Sequence, residues 1–508
     1  MILLIHPPVA KPCEPPAGIA RLSGALARHG VEHRLIDANI EGLLHLLKMP
    51  LPHGKASDTW TRRAFSNCER NVSSMSVAGL YRNIDRYGRT VRDISRVLSR
   101  VSPSGSSVGL ANYGHGTLSP LKSADLLAAA EHPELDPFYP YFRVRFEHLF
   151  REEEPSAVGI SLNFLSQALC AFPMIGFIKR EVPEMRLILG GGLVTSWLSN
   201  PQWEDPFTGL VDHLIAGPGE HQLLRLLGLD DVEERISRPD YSALPRNSYL
   251  SPGFILPYSA SSGCYWNKCA FCPEKAEGNP YASIPPQRVV SDLKILRDET
   301  RPVLIHLLDN AISPALLDSI AAENMGVPWY GFARIGPHLT DPDFCAVLKG
   351  SGCVMLKLGI ESGDQGVLDA MHKGISIEMA STVLRNLKRA GIASYVYLIF
   401  GTPAETEPQA ERTLEFTIRH SDCIDFLNLA IFNMPVCGPT AQGIETRKFY
   451  EGDLSLYTDF DHPKGWDRRR VRLFLENDFR KHPSISRILK NEPPAFTSNH
   501  APFFVMER

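Results

Sequence analysis

Short apolar runs alternate with amphipathic stretches of helix length along most of this chain, and that alternation leaves few folds open. The pattern occurs twice. Between residues 253 and 435, strands are expected at Tyr258–Ser261, Val303–Leu308, Trp329–Ala333, Met355–Ile360, Ser394–Phe400 and Asp425–Ala430. Helices are expected between and after them at Pro286–Arg297, Pro314–Glu323, Pro342–Gly350, Gln365–His372, Ile377–Ala390 and Pro408–His420. Six β/α units predict a full or partial (β/α) barrel, whose chemistry would sit at the C-terminal ends of the strands.

The earlier run begins with strand Ile2–Ile5, helix Ile19–His29 stopped by Gly30, and strand His33–Asp37. It resumes with strand Ala157–Leu162, a helix to about Arg180, and strands Arg186–Leu189 and Leu210–Ile215. This is the opening of a doubly wound, Rossmann-like parallel sheet. The fold class is therefore α/β. The expected parts are a sheet domain over 1–235 with a helical insertion over about 45–150, a proline-rich linker over 236–252, a barrel over 253–440, and a C-terminal extension over 441–508, helical at Arg468–His482. The insertion contains Pro137–Phe142, an aromatic segment suited to packing.

At 508 residues, two or three domains are the natural division. The net charge of −4 offers no basic field for nucleic acid. No apolar stretch is long enough to span a bilayer, and Met1–Pro8 reads as a buried strand rather than a signal peptide. Ten cysteines are too sparse for a disulfide scaffold, so reduced thiols and a cytoplasmic setting are expected. Seven are scattered and read as small buried hydrophobes; the other three, Cys264, Cys269 and Cys272, lie within nine residues.

Those three follow the first barrel strand in Ser261-Ser262-Gly263-Cys264-Tyr265-Trp266-Asn267-Lys268-Cys269-Ala270-Phe271-Cys272. Three thiolates on one loop can each take an iron of a cubane and leave the fourth iron open to substrate. A structural zinc site needs a fourth ligand, and no second CxxC pair is near; His306 is a poor candidate in mid-strand. A redox CxxC leaves Cys264 unexplained.

The loop resembles the cluster loop of the radical S-adenosylmethionine (SAM) superfamily, including the aromatic Phe271 before the last cysteine. It differs in having four residues between the first two cysteines instead of the usual three. Leu358-Gly359-Ile360-Glu361-Ser362-Gly363-Asp364, continued by Met371 and Lys373-Gly374, resembles the superfamily's fourth-strand segment. Tyr397–Pro403 with Glu405-Thr406 resembles the fifth. The resemblance implies a [4Fe–4S] cluster on the three cysteines and SAM contacts from Phe271, Asn310, Arg334, Glu361, Ser362, Gly401 and Thr402, with Arg334 pairing the SAM carboxylate.

Residues 1–230 resemble the cobalamin-binding domain that precedes the barrel in one class of the superfamily. The resemblance implies a cofactor pocket at Pro8, Gly18, Ser161, Asn163, Gly190, Gly191, Gly192, Gly217, Gly219 and Glu220. The Asp-x-His-x-x-Gly segment of related folds, which supplies a cobalt-ligating histidine, is absent; Asp212-His213 is off that pattern.

The implied activity is reductive cleavage of SAM to a 5′-deoxyadenosyl radical, with cobalamin for methyl transfer to an unactivated centre. The implied partners are a small molecule or peptide as substrate and an electron donor such as flavodoxin or ferredoxin. Two alternatives stay open: a radical SAM enzyme without cobalamin that rearranges, cyclises or couples its substrate, and a non-catalytic cobalamin or redox sensor.

Overall fold

A computed structural model describes residues 1–52, 58–229, 237–438, 443–448 and 451–506. The chain divides into two compact units. One is Met1–Ile255 with two short stretches of the C-terminal region; the other is Leu256–Phe449 with most of the remainder.

The first unit is built on a five-stranded parallel sheet of β1 (Ile2–His6), β2 (His33–Asp37), β3 (Ala157–Ser161), β4 (Arg186–Gly190) and β5 (His213–Ile215). The order is β2-β1-β3-β4-β5. β1 and β3 are buried along their whole length because helices cover both faces, as continuous apolar strands require. The chain leaves β1 towards β2 on one side and later returns to β3 on the other. The C-terminal edge between β1 and β3 is thus the switch point where such sheets bind ligands. The helices that follow strands include α1 (Ala17–Arg28), α2 (Leu165–Glu181), α3 (Gly192–Leu198) and α4 (Glu220–Leu226).

The insertion is largely helical, as expected, with Phe138 and Phe142 fully buried. It also carries a two-stranded hairpin, Ser106–Val108 with Tyr113–His115. Its long helix, Ile84–Val101, starts where the Asn83 side chain accepts from the Arg86 amide and caps it. From Ser237 onward the expected linker packs within the first unit. Asp240 N donates to Ala20 O (2.8 Å), Leu250 N to Pro12 O (2.8 Å), and the buried Tyr249 hydroxyl to Asp37 (2.9 Å). Residue 236 and the expected boundary at 440/441 lie outside the described residues.

The second unit holds β6 (Ile255–Tyr258), β7 (Leu304–Ile312), β8 (Trp329–Ala333), β9 (Cys353–Glu361), β10 (Ala393–Phe400) and β11 (Phe426–Ile431). They form one six-stranded sheet in sequential order, parallel from β7 through β11. With β6 and β11 left as edges, this is a partial barrel. Its helices are α5 (Pro286–Thr300), α6 (Pro314–Ala321), α7 (Pro342–Gly350), α8 (Gln365–Ala370), α9 (Ile377–Ala390) and α10 (Glu407–Arg419). Each starts where local chemistry favours it: Pro286, Pro314 and Pro342 open three of them, and Ser313, Asp364 and Ser376 side chains accept from first-turn amides. In the extension, helix α11 (Arg468–Phe474) matches the start of the expected helical segment.

Candidate active site at the C-terminal ends of the barrel strands

The cysteine loop leaves β6 and is tied to β7 at its root. The Asp309 carboxylate accepts from Ala260 N (3.1 Å) and from the Ser261 hydroxyl, and Asn310 Nδ2 donates to Gly263 O (3.2 Å). Asn310, expected at SAM, is thus engaged at the loop root. Further along, Ala270 N donates to Met371 O (2.9 Å), and Trp266 Nε1 to His372 O (3.2 Å). The loop is therefore held by the segment after α8 as well.

Cys264, Cys269 and Cys272 are free and partly exposed. Burial pushes the Cys269 thiol up and the Cys272 thiol up to about 11; for both, neighbouring thiols of the trio add to the rise. Among the described residues, no three His, Cys, Asp or Glu side chains are drawn together as one metal ion requires. A cubane asks for a different arrangement, because each thiolate takes a separate iron. Three free thiols on one loop, with the basic side chains of Arg334 and Lys373 beside Cys269, suit an anionic iron–sulfur cluster.

β9 ends at Glu361, whose positive φ of 70° turns the chain off the sheet. Its carboxylate accepts from Lys373 Nζ at 2.8 Å, and both side chains are nearly buried, at 13% and 11% exposure. Lys373 also lies 5.6 Å from the centre of the Phe271 ring. Phe271, Glu361 and Cys269 thus share one charged neighbour. Ser362 is fully buried, and its hydroxyl is engaged with Thr413 (3.2 Å) and the Asp364 amide (3.2 Å). The structure places it in the support of the turn rather than at an open surface.

β10 ends at Phe400, and the amide of the next residue, Gly401, donates to Glu405 Oε2 at 2.6 Å; Trp466 Nε1 donates to the same oxygen at 3.0 Å. Glu405 is fully buried, and burial raises its pKa to about 7. Its other oxygen and the Thr402 hydroxyl have no hydrogen-bond partner among the described residues. The Thr402 carbonyl accepts from His462 Nε2 at 2.8 Å. Residues of the extension, Phe460, His462, Trp466 and Arg468, join Gly401 and Phe432 around a small cavity of about 20 Å³ at the ends of β10 and β11.

Within the sheet, Lys357 Nζ meets His306 Nε2 at 2.9 Å and lies 4.3 Å from the Phe332 ring centre; His306 stacks on Tyr330 at 4.3 Å. His306 is thus paired in the barrel interior. Lys357 and Trp266 were not singled out from sequence. A lysine inside the apolar run Met355–Ile360 was the available signal, since a strand buried on both faces has no solvent side for it.

In the first unit the expected cofactor residues gather at the C-terminal edge of the sheet. Ser161 and Gly190 are register partners across β3 and β4, and Gly190 pairs with Ile215 of β5. Asn163 bridges this edge: its Nδ2 donates to Ser161 Oγ (3.1 Å) and its Oδ1 accepts from Gly192 N (3.1 Å). Gly191 has φ of 109°, and a Cβ there would overlap the Leu162 carbonyl, so only glycine closes this turn. A Cβ on Gly18 would come within 3.4 Å of Ser161 Oγ, which puts α1 beside β3 at the switch point. Pro8 is buried just beyond β1. Gly217 N donates to Thr195 Oγ1 (2.9 Å), Gly219 precedes α4, and Glu220 is nearly buried against Arg21 (2.6 Å). Hydroxyl, amide and bare backbone at such an edge fit a neutral hydrogen-bonding cofactor tail. Asp212-His213 sits at the start of β5, the opposite end from this edge. His6, at the end of β1, is buried and held neutral, its pKa lowered to about 4.

Known proteins agree with this architecture. The sequence profile of the radical SAM superfamily matches residues 258–417. Curated relatives include an uncharacterized methyltransferase of Pyrococcus horikoshii, 24% identical over 309 residues, covering 53% of this chain and 65% of the relative. Another is the anaerobic magnesium-protoporphyrin IX monomethyl ester cyclase of Rubrivivax gelatinosus, 24% identical over 282 residues, covering 46% of this chain and 49% of the relative. The chain thus spans from just under half to just under two thirds of the length of these relatives. Among solved structures, the cobalamin-dependent SAM radical enzyme OxsB with aqua-cobalamin bound has a similar fold, with TM-score 0.58 and 12% identity over 94% of this chain and 67% of that one. So has the radical SAM methyltransferase TsrM of Kitasatospora setae, with TM-score 0.52 and 14% identity over 89% and 79%. The chain carries a domain of the radical SAM superfamily, running from the end of β6 into α10.

Proposed function

We propose that this chain is a SAM-cleaving radical enzyme that holds a [4Fe–4S] cluster on Cys264, Cys269 and Cys272, and that its first unit carries cobalamin for methyl transfer to an unactivated centre of a small molecule or peptide. The observation that carries the reading is the meeting of three free thiols, the Glu361–Lys373 pair and the Gly401 turn at the C-terminal ends of parallel barrel strands. A bound cluster would supply the one-electron reduction of SAM that yields methionine and a 5′-deoxyadenosyl radical, with the electron coming from an external donor.

The chain's own groups would do the rest. Glu361 would receive the ammonium or ribose hydroxyls of SAM, and the Gly401–Glu405 turn would offer backbone beside its adenine. The neutral edge formed by Ser161, Asn163 and Gly217 would take the cobalamin tail without a ligating histidine. No described helix is long and apolar enough to cross a membrane.

Anaerobic reconstitution with iron, sulfide and hydroxocobalamin, followed by dithionite and SAM, tests both parts. Expected are about four irons per chain by the cubane stoichiometry, retained corrinoid absorbance after gel filtration, and 5′-deoxyadenosine or methylated product. A reconstituted cluster that yields neither product refutes the radical reading. Corrinoid lost on filtration leaves the cobalamin-free alternative.

A further inference from the structure

The four-residue gap between Cys264 and Cys269 has a structural use. Its second residue, Trp266, lies under the Arg334 guanidinium at 3.7 Å from the ring centre, with Lys268 Nζ 4.8 Å from the same ring. Its indole N–H donates to His372 O at 3.2 Å. Its ring fills the space above Gly374, where a Cβ would overlap it and where φ is 64°. Arg334 in turn donates to the carbonyls of Lys373 and Gly374, the latter at 2.8 Å. Asn267, the next residue in the gap, takes a φ of 41°, which turns the chain back towards Cys269.

The loop, the end of β8 and the turn after α8 are therefore locked through one indole. The residue expected to pair the SAM carboxylate, Arg334, is engaged in that lock. Lys373, whose backbone carbonyl Arg334 holds, is the same residue that pairs with Glu361.

We propose that Trp266 is a positioning residue for the cluster: stacked on Arg334 and seated over Gly374, it fixes the cysteine loop relative to the Glu361–Lys373 pair. This rests on the cluster reading above. A gap of three residues has one fewer in which to reach the Arg334–Gly374 seat and still return to Cys269, so the added residue is the means of building the lock. A cation stacked on a partly desolvated indole is worth enough to matter for a loop that must hold its ligands still.

The test uses the full chain, reconstituted anaerobically, as wild type, Trp266→Ala, Trp266→Phe and Arg334→Lys. Read-outs are iron content, the rate of iron loss to a chelator, and the electron paramagnetic resonance spectrum of the reduced cluster, all without SAM; SAM affinity is measured separately. Trp266→Ala should lose iron roughly tenfold faster, about one desolvated cation–π contact, and show an altered spectrum. Trp266→Phe should recover most of both, and Arg334→Lys should move the same SAM-free signals. A Trp266→Ala protein with wild-type iron retention and spectrum overturns the proposal. So does an Arg334→Lys protein changed only in SAM affinity, since that makes Arg334 a ligand of SAM. A wild-type chain that takes up no cluster refutes the proposed function itself, an outcome separate from these.

Discussion

The two units present the same kind of edge, the C-terminal ends of parallel strands, and equip it in opposite ways. In the first unit the edge is mostly uncharged, with the Glu220–Arg21 pair at its side: Ser161, Asn163 and a run of glycines bond one another and approach backbone closely. In the second it is charged and sulfur-bearing, with three thiols, the Glu361–Lys373 pair and Arg334. A neutral edge suits a large, preformed ligand held by shape and hydrogen bonds. A charged, partly desolvated one suits a reaction in which charge moves. The lesson is that the strand ends alone do not specify chemistry; the residues in the first few positions after them do.

The contrast can be broken most sharply at the thiols. Replacing Cys264, Cys269 or Cys272 with alanine should abolish SAM cleavage, a loss of at least about a thousandfold because the cofactor supplies the chemistry. Retained corrinoid binding in the same protein, by absorbance, would show that the neutral edge works independently. At that edge, Gly191→Ala should destabilise the first unit by about 3 kcal/mol, since an alanine would need both an unfavourable φ and a displaced Leu162 carbonyl. Thermal melts and corrinoid retention should both suffer while iron uptake by the cysteine loop persists; an unchanged melt would mean that the turn has slack.

Glu405 gives a pH signature confined to the second unit. Its carboxyl pKa is raised from 4.5 to about 7 by burial, so the folded chain binds this proton more tightly than the unfolded one. Its contribution therefore favours the folded state at low pH and is lost as pH rises from about 4.5 to 7, about 3 kcal/mol in all. Glu405→Gln should flatten that slope in melting temperature against pH. An identical slope would place the proton elsewhere. The smallest effect is expected at Glu361→Gln, which keeps the shape and loses the charge opposite Lys373. SAM affinity should fall about tenfold, roughly 1.4 kcal/mol, with corrinoid binding unchanged; an equal loss in both would couple the edges.

Much of this was legible from particular residues. The strand runs were readable because apolar segments of β1, β3 and β9 are buried on both faces and carry almost no polar interruption. The cysteine loop and the Glu361 segment were readable because their residues are neighbours in the chain. Less legible were side chains whose partners come from distant strands. Arg334 was expected at SAM, yet it stacks on Trp266 and holds the carbonyls of Lys373 and Gly374. Ser362, expected at the ligand, is fully buried beside Thr413. Residues 237–252 carry the prolines of a linker but bury Tyr241, Leu244, Tyr249 and Leu250, because local composition reports turns and not what the turns pack against.

By itself the sequence determined the α/β class and the clustering of three cysteines ahead of a barrel. Those are set by short-range patterns: hydrophobic period, helix caps and ligand spacing within one loop. Only the tertiary structure decided that the barrel is partial, that Lys357 pairs with His306 inside it, and that the extra residue of the cysteine loop seats Trp266 between Arg334 and Gly374. The reason is physical: stacking, ion pairing and the exclusion of a Cβ depend on which atoms meet across 40 to 108 residues of chain, and no local pattern encodes that meeting.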